Sequence, residues 1–205
     1  MGTIERKARE KTQRAATILD AAETVFFAKG FENSTMDDVA AQAELSKGCV
    51  YNYFKNKNEL CIGIVERGVK LAYHMIKAAV DNCYDGTPEL LQAAAEGFLE
   101  FSLQHPKYYC ALQSYRHHRG GCGVDSSYLN LVIEDNSKLT KIFADIIAQG
   151  QTNGTIRQDV EPKEIATAIW GDFDGALPGF QLNSEKASGS YRRIICLLVD
   201  GLKVH

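Results

Sequence analysis

At 205 residues the chain fits one compact domain, or a small module fused to a larger one, and it is long enough to bury a core without covalent or metal staples. Its net charge of −3 excludes a polyanion binder that works through overall charge alone. Six cysteines (Cys49, Cys61, Cys83, Cys110, Cys122 and Cys196) form no C-x-x-C pair, no apolar run approaches the length of a membrane span, and the N-terminus is polar and basic, so a reduced, cytoplasmic protein with no membrane partner is expected.

Positive charge is local. Residues 1–14 carry Arg6, Lys7, Arg9, Lys11 and Arg14 against Glu5 and Glu10, and residues 46–58 carry Lys47, Lys55 and Lys57 with no acid. The first cluster is either a solvated tail or an arm lying along a nucleic-acid backbone. The spacing then predicts a helix over 9–29, with Ile18, Ala22, Val25 and Phe26 on one face and Gly30 as its stop. Thr35 followed by Asp38 reads as a capping box ahead of Met36, Val39 and Ala40. Ser46 starts another short helix with Val50, Tyr53 and Phe54 at helical spacing, and Asn56 with Glu59 caps a longer one over 57–83.

Breaks at 85–88, at His105-Pro106, in the glycine-rich stretch 120–123 and at Asn153-Gly154 separate further helical patterns. These run over 89–104, 107–118, 126–149, 162–178 and 186–203. No strand or tandem repeat is apparent. The expected fold is all-α, with about nine helices.

Residues 30–60 are either a plain helical hairpin in a core, which pattern alone favours, or the segment that carries the function. Two short helices, about 35–42 and 46–53, are joined by a tight connection at Ala43-Glu44-Leu45, which is helix-turn-helix spacing. On the second, Val50 and Phe54 point inward, leaving Lys47, Gly48, Tyr51 and Asn52 on the other side. That face offers a cation, a small residue for close approach and two hydrogen-bonding side chains, the equipment for reading base edges in a major groove. Thr35 and Lys57 stand at other helix starts, where backbone N–H groups and the helix dipole favour phosphate. Tyr53 has a phenol to add, and Ser46 and Cys49 flank the same helix start.

The segment strongly resembles the DNA-binding module of the TetR (tetracycline repressor) family over roughly residues 14–64. The matching residues are Phe26, Gly30-Phe31, Thr35-Met36, Val39-Ala40, Ala43, Leu45-Ser46-Lys47-Gly48, Val50-Tyr51, Tyr53-Phe54, Lys57 and Glu59-Leu60. The resemblance implies a homodimer with an N-terminal helix-turn-helix domain, 1–56, that reads a near-palindromic operator in double-stranded DNA. A helical domain, 57–205, would hold a small-molecule pocket and the dimer interface, with ligand binding releasing DNA in most members. Two positions depart from the pattern: Cys49 stands where threonine is common and Glu44 where glycine is common.

Outside this segment the chemistry is sparse. Glu100, Asp135, Asp145, Asp172 and Asp174 show no paired spacing, and no phosphate loop or nucleophile elbow occurs, so a non-enzyme is expected, with a helical-bundle enzyme the remote alternative. His117, His118 and Cys122 are close in sequence, but adjacent helical histidines point about 100° apart. No metal and no cofactor is expected; a thiol sensor at Cys49 or a metal sensor is the alternative regulator.

Aromatic residues are plentiful in the second part. Phe98, Phe101, Tyr109, Phe143 and Trp170 are the candidates for an apolar or aromatic effector pocket, against the alternative of ordinary core. Ile169, Phe173, Leu177, Ile194 and Leu198, beside Gly171 and Gly175, are either intrachain core or a dimer interface.

Overall fold

A computed structural model describes the backbone of residues 2–84, 86–117, 126–176 and 185–204, and the side chains of the same residues apart from 3–4, 114–117, 126–136, 172–176 and 185–187. Among the described residues there are nine helices and no strand: α1 Thr3–Lys29, α2 Met36–Gln42, α3 Lys47–Tyr51, α4 Lys57–Asp81, α5 Thr87–Gln104, α6 Pro106–His117, α7 Ser126–Thr152, α8 Pro162–Ala176 and α9 Glu185–Asp200. No helix among them is long and apolar enough to cross a membrane.

The first helix begins at Thr3, six residues before the expected start. Residues 5–14 are exposed on every side, so no apolar face announces this part of the helix. Apart from Thr12 it is nevertheless built from Glu, Lys, Arg, Ala and Gln, which are good helix formers. It also extends a helix already nucleated by the buried Ile18, Ala22, Val25 and Phe26, and propagation is far cheaper than nucleation. The basic N-terminal cluster is therefore an exposed helical arm and not an irregular tail. The stop falls where expected: Gly30 takes φ 79° and donates its N–H to the Phe26 carbonyl at 2.9 Å.

The chain divides into two compact units. One runs through Arg67 and includes 114–132; the other comprises 68–113 and 133 onward. In the first, Ile18, Ala22, Val25, Met36, Val39, Val50, Phe54, Leu60 and Ile64 are buried. The start of α4 is fastened to α1. A Cβ on Gly63 would lie 2.7 Å from Leu19 Cδ2, so the helices approach closely there. One turn on, the Arg67 guanidinium donates to Asp20 and Glu23, each at 2.7 Å, and to the Ala16 carbonyl at 3.2 Å.

In the second unit α4 and α5 meet backbone to backbone, since a Cβ on Gly97 would lie 2.8 Å from the Ile76 Cα. The α9 stripe that faces the core is Ser188, Tyr191, Ile195 and Val199, at i, i+3, i+7 and i+11. Leu202, inside the helical pattern expected over 186–203, lies past the end of α9, where its carbonyl accepts from the Arg157 N–H at 2.9 Å beside an isolated antiparallel bridge between Ile156 and Lys203.

Candidate nucleic-acid interface

The helix-turn-helix is built by caps at both of its helix starts. The Thr35 hydroxyl accepts from the Asp38 N–H at 3.1 Å, and Asp38 Oδ2 accepts from the Thr35 N–H at 2.9 Å and the Thr35 hydroxyl at 2.8 Å. Lys29 Nζ reaches Asp38 at 2.6 Å. This bond to Lys29, with the Thr35 bonds behind it, holds the Asp38 carboxyl at about 2, well below its ordinary 3.8. Thr35 was expected to offer its donors to phosphate. Its N–H and hydroxyl are both taken up by Asp38, and the carboxylates of Asp37 and Asp38 occupy the first turn of α2.

The connection between α2 and α3 is tight. The Ala43 N–H bonds to the Val39 carbonyl at 2.9 Å, Leu45 N–H to Ala40 at 3.0 Å, and Glu44 turns the chain with φ 55°. The Ser46 hydroxyl then caps α3 by accepting from the Cys49 N–H at 3.3 Å. Val50 and Phe54 are buried, so the opposite face is fixed outward: Lys47, Gly48, Tyr51 and Asn52 are all exposed. A Cβ on Gly48 would meet nothing within 4 Å. The fold does not need glycine there, which leaves its smallness free to serve an outside surface. Cys49 and Tyr53 are half-buried.

Lys47 is not alone on this face. Its ammonium lies 2.7 Å from Asp37 Oδ1 and 6.0 Å from the centre of the Tyr51 ring. The pairing crosses the turn between two helices, so helical periodicity gave no signal for Asp37. Lys57 also has partners within the chain. Its ammonium donates to the carbonyls of Phe31 at 2.7 Å and Glu32 at 3.3 Å, and lies 4.3 Å from the Phe31 ring centre. It clamps the loop after α1 to the start of α4. That start is capped as expected, with Asn56 Oδ1 accepting from the Glu59 N–H at 2.9 Å, while the buried Glu59 carboxylate reaches back to the Lys55 N–H at 2.7 Å.

Comparison with known proteins agrees with this geometry. The family model described as bacterial regulatory proteins, tetR family, matches residues 18–63, the span from the buried half of α1 into α4. Residues 18–63 are thus similar to this family's N-terminal domain. The chain is a DNA-binding transcriptional regulator.

An uncharacterized HTH-type transcriptional regulator of Bacillus subtilis (strain 168), YfiR, is 48% identical over 59 residues, which is 29% of each chain. An HTH-type transcriptional regulator of Staphylococcus aureus (strain MRSA252) is 22% identical over 176 residues, covering 83% of this chain and 93% of that one. Among solved structures, a tetR-family regulatory protein from Rhodococcus RHA1 superposes with a TM-score of 0.72 at 22% identity, covering 94% of this chain and 98% of that one, which shows the shared fold.

Beyond the matched segment, the five candidate effector-site aromatics do come together. Phe98 lies 4.8 Å from Trp170, 6.0 Å from Phe101 and 6.1 Å from Tyr109, ring centre to ring centre, and Phe143 lies 6.0 Å from Trp170. All five are buried. Gln113 Nε2 donates to the Tyr109 hydroxyl at 3.0 Å. Tyr191, which the sequence pattern did not single out, is buried as well. Burial, and then the proximity of Tyr109 and Glu96, pushes its phenol far above the ordinary tyrosine range.

The five dimer candidates divide. Ile194 is 37% exposed and Leu198 half-buried. Ile169 is buried beside Ile165, Ala166 and Trp170 in the core stripe of α8, so it packs within its own chain and not on a surface open to a second copy. The Phe173 side chain and Leu177 lie outside the described residues, as do His118, Cys122 and the His117 side chain. Among the described residues no three potential ligands gather as a metal site.

Proposed function

We propose that this regulator binds a near-palindromic operator as a homodimer and is released from it by a small apolar or aromatic effector, acting as a repressor. The observation that carries the DNA part is the outward face of a doubly capped helix-turn-helix, with Lys47, Gly48, Tyr51 and Asn52 exposed while Val50 and Phe54 fix the helix from behind. Lys47, Tyr51 and Asn52 read base edges, and Gly48 lets the backbone come close. Ser46, Tyr53 and the basic arm of α1 meet phosphates, which set affinity and register but not sequence choice. In a dimer the two reading helices must stand about 34–36 Å apart, one turn of DNA, or a multiple of it.

The effector part rests on the buried aromatic cluster around Phe98 and Trp170, with the phenols of Tyr109 and Tyr191 as polar handles. Helix α4 contributes residues to both compact units. An effector that prefers one setting of α4 shifts the population of DNA-competent dimers by its differential affinity for the two settings.

The test begins with selection of duplexes from a random pool by the purified chain, followed by binding of the winner across a salt series. A palindromic winner bound at roughly nanomolar strength, weakening steeply with salt, is the expected result. Equal, weak binding to all duplexes sinks the operator reading. The winner then serves to screen aromatic and apolar compounds for release. Release that survives Trp170→Leu and Phe98→Leu moves the effector elsewhere.

A further inference from the structure

Asp37 stands in an unusual place for an acid on a DNA-binding surface. It is exposed at the second position of α2, beside the outward face of α3, where a carboxylate repels phosphate. Its neighbour Asp38 has a structural task, closing the capping box and holding Lys29. Asp37 pairs instead with Lys47: one carboxylate oxygen lies 2.7 Å and the other 3.0 Å from the same ammonium. The centre of the Tyr51 ring lies 6.0 Å from the same ammonium. A flexible four-carbon side chain is thus tied to an acid on α2 and lies near an aromatic on α3.

We infer that Asp37 is a specificity-determining residue that acts through Lys47, positioning its ammonium for a base edge and withholding it from phosphates. This rests on the DNA-reading role of α3. An ammonium has three donors, so Lys47 can keep Asp37 and still donate to a guanine O6 or N7 that the correct sequence places in reach. On other sequences no acceptor stands there. Lys47 then gains a phosphate only by leaving Asp37, which strands a carboxylate beside the DNA. Pairing with Asp37 also raises the Lys47 pKa, so the ammonium stays charged throughout. The pair therefore penalises non-operator DNA more than operator DNA, which is how a repulsive element produces specificity.

The experiment uses the full chain, the duplex selected by the unmodified protein, and a scrambled duplex of the same composition. Binding is followed by fluorescence anisotropy over a salt series. Asp37→Asn is expected to tighten scrambled-duplex binding several-fold and to steepen its salt dependence by roughly 1 to 2 in log–log slope for a dimer, with a smaller gain on the selected duplex. The operator-to-scrambled ratio falls. The same substitution made in Lys47→Met leaves the ratio unchanged, because the partner is gone. Thermal unfolding identifies any variant that fails to fold, and Asp37→Ser serves as the second substitution.

Equal tightening on both duplexes overturns the proposal, since Asp37 is then only a surface charge. So does a ratio that falls as much in the Lys47→Met background. If the unmodified chain selects no duplex at all, the operator reading fails, and this failure is visible before any variant is made.

Discussion

Glu44 donates its backbone N–H to the carbonyl of Ala41 at 3.1 Å while holding a left-handed backbone, φ 55°. It is the one non-glycine residue with positive φ among the described residues. For an L-residue with a Cβ this conformation costs about 1–2 kcal/mol. The turn between α2 and α3 demands it, because Leu45 must return its N–H to Ala40 before Ser46 can cap α3. The departure from glycine noted in the sequence is therefore a local strain in the reading head.

Glu44→Gly relieves that strain but gives the unfolded chain more freedom, which offsets part of the gain. A net stabilisation of roughly 0.5–1 kcal/mol is expected, seen as a rise of a few degrees in the melting temperature. A β-branched residue in its place, Glu44→Val, lowers it. A Glu44→Gly melting temperature equal to or below that of the unmodified chain contradicts the strain.

Much of this reading head was legible because its signals are local. Thr35 with Asp38, Ser46 before α3, Asn56 with Glu59, and Gly30 after α1 are caps whose partners lie within a few residues, and each forms as the spacing implied. What the sequence hid is non-local. Asp37 meets Lys47 across a turn, and Lys57 returns to Phe31 and Glu32 over some 25 residues. The arm of α1 lacks the one-sided apolar pattern that marks a helix, because none of residues 5–14 is buried. In α9, isoleucine and leucine occupy both the inner and outer faces, so periodicity alone did not say that Tyr191, Ile195 and Val199 face the core while Ile194 and Leu197 do not.

Lys57 separates a clamp from a phosphate contact. Lys57→Met removes the donor to two carbonyls and the charge against the Phe31 ring, and is expected to cost about 1–2 kcal/mol of stability. Because the ammonium is committed to the loop, the salt dependence of operator binding should keep its slope. A slope shallower by roughly 1 per subunit marks Lys57 as a phosphate contact in the complex after all.

Acid should loosen the start of α2. The folded Asp38 carboxyl titrates at about 2, against 3.8 when unperturbed. A depressed carboxylate contributes stability above the unfolded value and loses it as pH falls through the folded one. The contribution is thus full above about pH 4 and disappears toward pH 2. Asp38→Asn removes this titration. Its melting temperature should fall less steeply than that of the unmodified chain between pH 4 and pH 2; parallel slopes contradict the assignment.

The proposed dimer interface can be tested where the single chain has room to spare. On α8, Ile165, Ala166, Ile169 and Trp170 face inward, while Thr167, Ala168 and Gly171 are exposed. A Cβ on Gly171 meets nothing within 4 Å among the described residues, so a side chain can leave the helix there without a clash at its root. On α9, Leu197 is 71% exposed and Ile194 joins it at the surface. Small residues on one helix and apolar residues on another are what two copies need to bring helices together. Gly171→Arg and Leu197→Glu should therefore leave helix content intact while shifting the mass in sedimentation from dimer to monomer. Operator binding should weaken by roughly tenfold or more, since each half-site then binds alone. If the unmodified chain sediments as a dimer and both variants do the same, the two copies meet through another face.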